Sequence, residues 1–155
     1  MDGKVEARLK TLGIVLPEAA SPVANYVPTL PAGNLLFVSG QISRAGDGTI
    51  IKGKLGAGLG VAEGQAAARL CALNILAQAH AALGSLDRIA QIVRLTGFVN
   101  AAPDFIDHPQ VVNGASDLMV EVLGDAGRHT RAAVGVSGLP AGCAVEVDAI
   151  ILVKA

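Results

Sequence analysis

The spacing of apolar residues changes several times along this chain, and each change marks an element. In KVEARLKTLG, Val5, Leu9 and Leu12 recur at helical spacing and predict a short amphipathic helix. VLPEAASP then reads as a loop, NYVPT as a short extended piece kept at a sheet edge by its proline, and PAGN as a turn. LLFVSG predicts a compact buried strand from Leu35 to Ser39. RAGDGT is a second turn, and TIIK has the look of a further strand. The strongest helix signal is EGQAAARLCALNILAQAHAALG, where Ala66, Leu70, Leu73, Ala77 and His80 keep the helical period and Gly84 is the stop. RIAQIVRLTGFVN predicts a long strand with a bulge at Gly97. Pro109 opens a second helix whose apolar face is Val111, Ala115, Leu118, Met119 and Val122, and Gly124 and Gly127 end it. RAAVGV and AVEVDAIILV close the chain as two strands around the turn SGLPAGC, an arrangement expected to be a hairpin.

Strand, strand, helix, strand, helix, strand, strand is an α+β order, with two helices covering one side of a sheet. The last strand speaks for the other side. Val145, Val147, Ala149, Ile151 and Val153 form one apolar face, but the opposite face also carries Ile150 and Leu152 between Glu146, Asp148 and Lys154. A second copy of the chain is the expected cover. The 155 residues make one domain, with residues 1–20 read as an N-terminal extension. Apolar residues make up 52% of the chain, more than a small monomer usually carries, which also points to an oligomer. A net charge of −1, no basic block and 3% aromatic residues argue against a dedicated nucleic-acid surface. The longest uncharged run, residues 19–43, is broken by Pro22, Pro28 and Pro31, so no membrane span is expected. Cys71 and Cys143 form no spaced pair, and a reducing, cytoplasmic setting fits them.

Candidate chemistry centres on two charges. From Arg131 to Glu146 no other charged residue occurs. A hairpin turning inside LPAG pairs positions whose numbers sum to about 281, an odd sum that puts Arg131 and Glu146 on one face. A charge at an apolar interface needs a partner. The structural reading is a salt bridge across a subunit boundary; the functional one is a bidentate clamp by Arg131 on a ligand carboxylate. His129 stands close enough in sequence to line such a cleft, His80 reads as a surface or core residue and His108 as a helix cap. Tyr26, the single tyrosine, is either a hydrogen-bonding lid or an edge-strand aromatic. KGKLGAGLG invites a phosphate-loop reading, but Leu55 stands where Ser or Thr is needed and the glycines of GAGLG miss the dinucleotide spacing. No histidine or cysteine spacing suggests a metal, and Ser39 lacks the flanking glycines of a nucleophile elbow.

Two stretches carry a resemblance. FVSGQIS, from Phe37 to Ser43, is similar to the Ser-Gly-Gln-Ile signature of the RidA (YjgF-like) reactive intermediate deaminases, a family also labelled endoribonuclease L-PSP. RAAVGVSGLPAGCAVEVDAI, from Arg131 to Ile150, resembles its closing signature, and the elements between agree in order and length. The resemblance implies a chorismate-mutase-like α+β fold, with a mixed sheet, two helices on one face and a homotrimeric barrel with clefts between subunits. It implies hydrolysis of enamines and imines of the 2-aminoacrylate type to 2-keto acids and ammonia, with no cofactor or metal. A non-catalytic trimer that binds a small carboxylate or a protein partner, and an endoribonuclease, are the alternatives. By position, Arg131 matches the arginine that grips the substrate carboxylate, and Glu146 the glutamate that positions or activates water. Tyr26, Ser39, Gly40 and Ala133 match substrate-binding positions, and Asn113 matches a second-helix asparagine one residue out of register. The chain departs from the pattern at Ala24 and Asn25, where Gly-Pro precedes the tyrosine in active members, and at Ala133, where cysteine is common. It is thereby identified as a divergent branch.

Overall fold

In the computed structural model, which describes residues 3–22 and 24–155, the elements follow the order α1 (Lys4–Thr11), β1 (Thr29–Ala32), β2 (Leu35–Ile42), β3 (Lys54–Leu55), β4 (Gly58–Leu59), α2 (Val61–Leu83), β5 (Ile89–Asn100), α3 (His108–Leu123), β6 (Thr130–Val136) and β7 (Val145–Val153). Five strands form one mixed sheet in the order β1-β2-β7-β5-β6. β5 and β6 are parallel, and the other pairs are antiparallel. α2 and α3 lie side by side on one face. The TIIK segment contributes only isolated bridges at Ile50 and Lys52, because the glycines that follow turn the chain: Gly53, Gly56 and Gly58 all have positive φ.

β7 is the hinge of the layering, since both of its neighbours hydrogen-bond to it. Val145, Val147, Ala149 and Ile151 are buried under the helices, while Glu146, Asp148, Ile150 and Leu152 turn the other way and stay half-exposed. Among the described residues no helix packs on that other face. Leu30, Phe37 and Ile150 are aligned across β1, β2 and β7, and Leu30 and Phe37 are 57% and 41% exposed. The doubly apolar last strand is therefore present as expected, with an uncovered apolar band on its second face.

Four expectations change. β6 and β7 are not a hairpin, because β5 lies between them and pairs with both. Parity through β5 reverses the earlier inference: Arg131 is level with Leu95, which faces the helices, whereas Glu146 is level with Phe98, which does not. Gly97 is not a bulge; the register shifts of β5 fall between Ile89 and Gln91 and between Ile92 and Arg94. Gly97 is needed for packing, since a Cβ there would sit 2.6 Å from the side chain of Val112. The buried stripe of α2 is also rotated from the expected one. Ala67, Ala68, Cys71, Ala72, Ile75, Leu76 and Ala79 enter the core, while Ala66 is exposed and Leu70, Leu73 and His80 are half-buried. A helix so rich in alanine looks apolar from every side, and only the packing chooses its face. By length and hydropathy α2 could cross a membrane; here about half of its residues are buried, on the side that packs against the sheet and α3.

The N-terminal helix is docked by a reciprocal pair of acids. Asp87 accepts the backbone N–H groups of Lys4 and Val5, both at 2.8 Å, and these bonds hold its carboxyl below the ordinary value. Glu6 answers by accepting the Leu86 N–H at 2.7 Å. The chain beyond α1 then crosses the half-buried Leu70 and Leu73 of α2, where the side chain of Gln78 donates to the Ala20 carbonyl at 2.7 Å.

α2 and α3 approach closely at Gly64 and Gly114. A Cβ at Gly64 would press on Leu55 and Val111, and one at Gly114 would overlap the backbone carbonyl of Gln65. The Gly114→Ala variant should lose about 1–3 kcal/mol of unfolding free energy, because a rigid backbone has to move. Urea denaturation beside the wild type measures it, and an unchanged midpoint would show that the two helices can part without cost.

Candidate functional site

The residues singled out in the sequence fall into two groups, one on each face of the sheet. The first group surrounds Glu146. β2 and β7 keep register through Val38↔Ala149, then slip, and resume at Gln41↔Val147. Ser39 and Gly40 thus oppose the single residue Asp148, which is a bulge built into the SGQ motif. The Ser39 hydroxyl donates to the Val27 carbonyl at 2.8 Å, and its N–H bonds the Pro28 carbonyl at 2.9 Å. These bonds fasten the segment that carries Tyr26 beside the bulge. Tyr26, Gly40, Gln41 and Arg44 share a small cavity of about 130 Å³ with the N-terminal residues Ala20 to Pro22.

Gly40 leaves room that a side chain would take: a Cβ there would overlap the Glu146 carboxylate. Glu146 sits in an apolar row, level with Ile42 on β2 and Phe98 on β5. Burial in that row pushes its carboxyl above the ordinary value, and the Asp148 charge adds to the push. A carboxylate tuned upward is suited to take a proton from water near neutral pH.

The second group surrounds Arg131, on the helix-facing side of the edge strand β6. Its guanidinium lies across the first two turns of α3. It donates to Asn113 Oδ1 at 2.9 Å, Ser116 Oγ at 3.1 Å and the Pro109 carbonyl at 3.3 Å. All three acceptors are neutral, and among the described residues Arg131 has no carboxylate partner. His129 acts behind it. Nδ1 bonds the Gly127 carbonyl at 2.7 Å, so it carries the proton, and Nε2 meets Ser116 Oγ at 2.9 Å. With the ring neutral, the Ser116 hydroxyl donates to His129 Nε2 and turns a lone pair to Arg131. Ala133, two residues along β6, points its methyl into the core and leaves only its backbone for any ligand.

Arg131 and Asn113 thus meet directly, as do Gly40 and Glu146, but the two groups are not on one face. Sequence reasoning missed Ser116, which no spacing rule singles out before α3 and β6 are packed. His108 does not cap α3; its ring stacks edge-on against Phe105 with centroids 5.4 Å apart. Cys71 is a buried core residue, as expected.

The raised carboxyl of Glu146 has a consequence for stability. Between the ordinary and the raised value the native state binds more protons than the unfolded chain, so stability falls as pH rises through this window. Glu146→Gln removes that loss. Urea midpoints should place Glu146→Gln above the wild type at pH 7, with a gap that closes as the pH is lowered to 4. A gap that widens on acidification would mean that the carboxylate is stabilised, not strained, in its apolar row.

Comparison with known proteins agrees with this architecture. Residues 6–150 match a family described as "YjgF/chorismate_mutase-like, putative endoribonuclease". The chain is 53% identical over 150 residues to "Protein TCP17" of Trypanosoma cruzi, covering 96% of this chain and 94% of that one. The crystal structure of Atu1372 from Agrobacterium tumefaciens shares 48% identity and superposes with a TM-score of 0.90, covering 97% of this chain and 92% of the other. E. coli TdcF, solved with bound serine, shares 26% identity at a TM-score of 0.63 over 87% of this chain and 93% of its own. With its mixed sheet, its helices on one face and the SGQ bulge beneath Glu146, the chain belongs to the YjgF/chorismate-mutase-like family, in a branch divergent from the E. coli protein.

Proposed function

We propose that the protein hydrolyses enamines and imines of the 2-aminoacrylate type to 2-keto acids and ammonia. The observation that carries this reading is the state of Arg131: a fixed cation, met among the described residues by neutral oxygens alone, at the open edge of the sheet. Such a fork is ready for a carboxylate, and a ligand that supplies one completes it bidentately. The serine held by E. coli TdcF is an amino acid with a carboxylate of this kind.

The rest of the reaction falls to the Glu146 group. The enamine carbon takes a proton from solvent to give the iminium, whose C2 is electrophilic. Glu146 orients a water and accepts one of its protons as oxygen bonds to C2. The carbinolamine then collapses: Glu146 gives the proton it took from water to nitrogen, the hydroxyl loses its own proton to solvent as the C=O bond forms and the C–N bond breaks, and ammonia leaves the keto acid behind. Tyr26, Ser39 and Gly40 frame this side, and Asn113 and Ala133 the carboxylate side. No cofactor is assigned a step.

One chain holds the two groups on opposite faces of its sheet, so a complete cleft needs two copies. The free edge of β6 in one copy would meet the open sheet face of the next, with the apolar band of Leu30, Phe37 and Ile150 buried between them. A homotrimer closes such a heterologous contact. Sedimentation should give a trimer, and Phe37→Asp should dissociate it; a wild-type monomer would remove the composite cleft.

For activity, 2-aminoacrylate is generated from serine by a dehydratase and the decay of its absorbance is followed. The protein should speed the decay. Arg131→Ala should lower the catalysed rate by about 10–100-fold, the ~1.5–3 kcal/mol of a charge-assisted hydrogen-bond pair, with the oligomer intact. No acceleration by the intact wild-type oligomer would overturn the proposal, and carboxylate binding without turnover would leave a binding protein in its place.

A further inference from the structure

A second cation in this fold is held without a counter-charge among the described residues, and nothing in the proposed reaction uses it. Lys54, on the short strand β3, donates through Nζ to Asn100 Oδ1 at 2.8 Å and to the Ser137 carbonyl. Asn100 is buried, only 4% exposed, and is itself fixed by donating to the Cys143 carbonyl at 3.1 Å. A buried amide therefore sets the position of the ammonium. Two of its three N–H donors are engaged by neutral oxygens, and among the described residues it has no carboxylate partner.

Lys54 lines a cavity of about 600 Å³ at the end of β6, walled by Ala101, Pro103, Phe105 and Val136. His108 lines the same cavity. Its imidazole lies over Gly135, where any Cβ would overlap Nε2, so the glycine is what admits the ring. Neither ring nitrogen has a hydrogen-bond partner among the described residues. The cavity thus combines an oriented ammonium, an uncommitted imidazole and a flat apolar wall made by Phe105 and Pro103. A half-buried cation with a free donor is incomplete until an anion reaches it.

This is a different place from the Arg131 clamp. Arg131 and Gly135 stand four residues apart on the same strand, about 13 Å at ~3.3 Å per residue, and Arg131 does not line the cavity. We propose that this cavity is a second ligand site, which binds a small carboxylate with a flat apolar body. The carboxylate takes the free N–H of Lys54 and an N–H of His108, and the body lies against Phe105.

Benzoate is the probe, with benzamide as its uncharged counterpart. Binding is read from the imidazole carbon–proton resonances of His108, assigned by their disappearance in His108→Gln. Benzoate should shift them in the wild type and equally in Arg131→Ala, where the other carboxylate site is removed. Lys54→Met should weaken the binding by about tenfold or more, the factor that one charge-assisted hydrogen bond carries. Benzamide at the same concentration should leave the resonances in place. Should Lys54→Met fail to fold, Gly135→Ala tests the same site by displacing the imidazole, and it should abolish the benzoate shift. The proposal is overturned if benzoate does not move the His108 resonances of the wild type. It is equally overturned if the shift vanishes in Arg131→Ala, if it survives undiminished in a folded Lys54→Met or Gly135→Ala variant, or if benzamide acts as well as benzoate. Because the readout is binding, the outcome is independent of the deaminase reading.

Discussion

β7 is hydrogen-bonded on both sides, and its strict alternation governs both layers of the molecule. Its odd-numbered residues, from Val145 to Ile151, are the floor on which α2 and α3 pack. Its even-numbered ones project from the sheet's far side and include one glutamate, one aspartate and two aliphatic residues. A one-residue slip would bury Glu146 and Asp148 under the helices, so the register is held by the full cost of desolvating two carboxylates. The bulge at Ser39 and Gly40 adjusts the neighbouring strand without disturbing this alternation. It takes up one extra residue opposite Asp148 and leaves Gln41 and Val147 paired on the core side.

That constraint places reactive groups at unfavourable positions. Glu146 lies between Ile42 and Phe98, where its charge is poorly solvated. Among the described residues Arg131 and Lys54 are held by amides, a hydroxyl and carbonyls, and not by acids. Neutral acceptors orient a cation without cancelling its field, so the attraction for an incoming anion is retained. The same arrangement appears at two sites, built from different elements. It is the feature on which both proposed carboxylate sites rest.

The uncovered sheet face and the split site are two aspects of one geometry. β5 intervenes between β6 and β7, so Arg131 faces α3 while Glu146 faces away. A chain whose clamp and proton acceptor lie on opposite faces is incomplete as a monomer for the proposed reaction. In the proposed trimer the apolar band of Leu30, Phe37 and Ile150 would supply the drive for a second copy to cover it.

Much of this was legible in the linear chain because local physics fixes it. Period-two alternation in AVEVDAIILV gave β7 both its faces, Pro109 and Gly124 bounded α3, and Gly84, in the left-handed region at φ 81, ended α2. The SGQ and RAAVGV…VEV segments named Arg131, Glu146 and Gly40, since a motif records which residue types sit together without recording where. Pairing order was beyond reach. The turn SGLPAGC looks like a hairpin locally, and only the long-range hydrogen bonds of β5 decide that β6 and β7 part. The same holds for the phase of α2, whose alanines are apolar in every direction, and for Ser116 and Asn100, whose roles exist only once distant segments bring Arg131 and Lys54 against them. Side-chain chemistry and local period were determined by the sequence itself. The face on which each charge emerged was decided by the tertiary structure, because a strand's orientation depends on neighbours that lie far away along the chain.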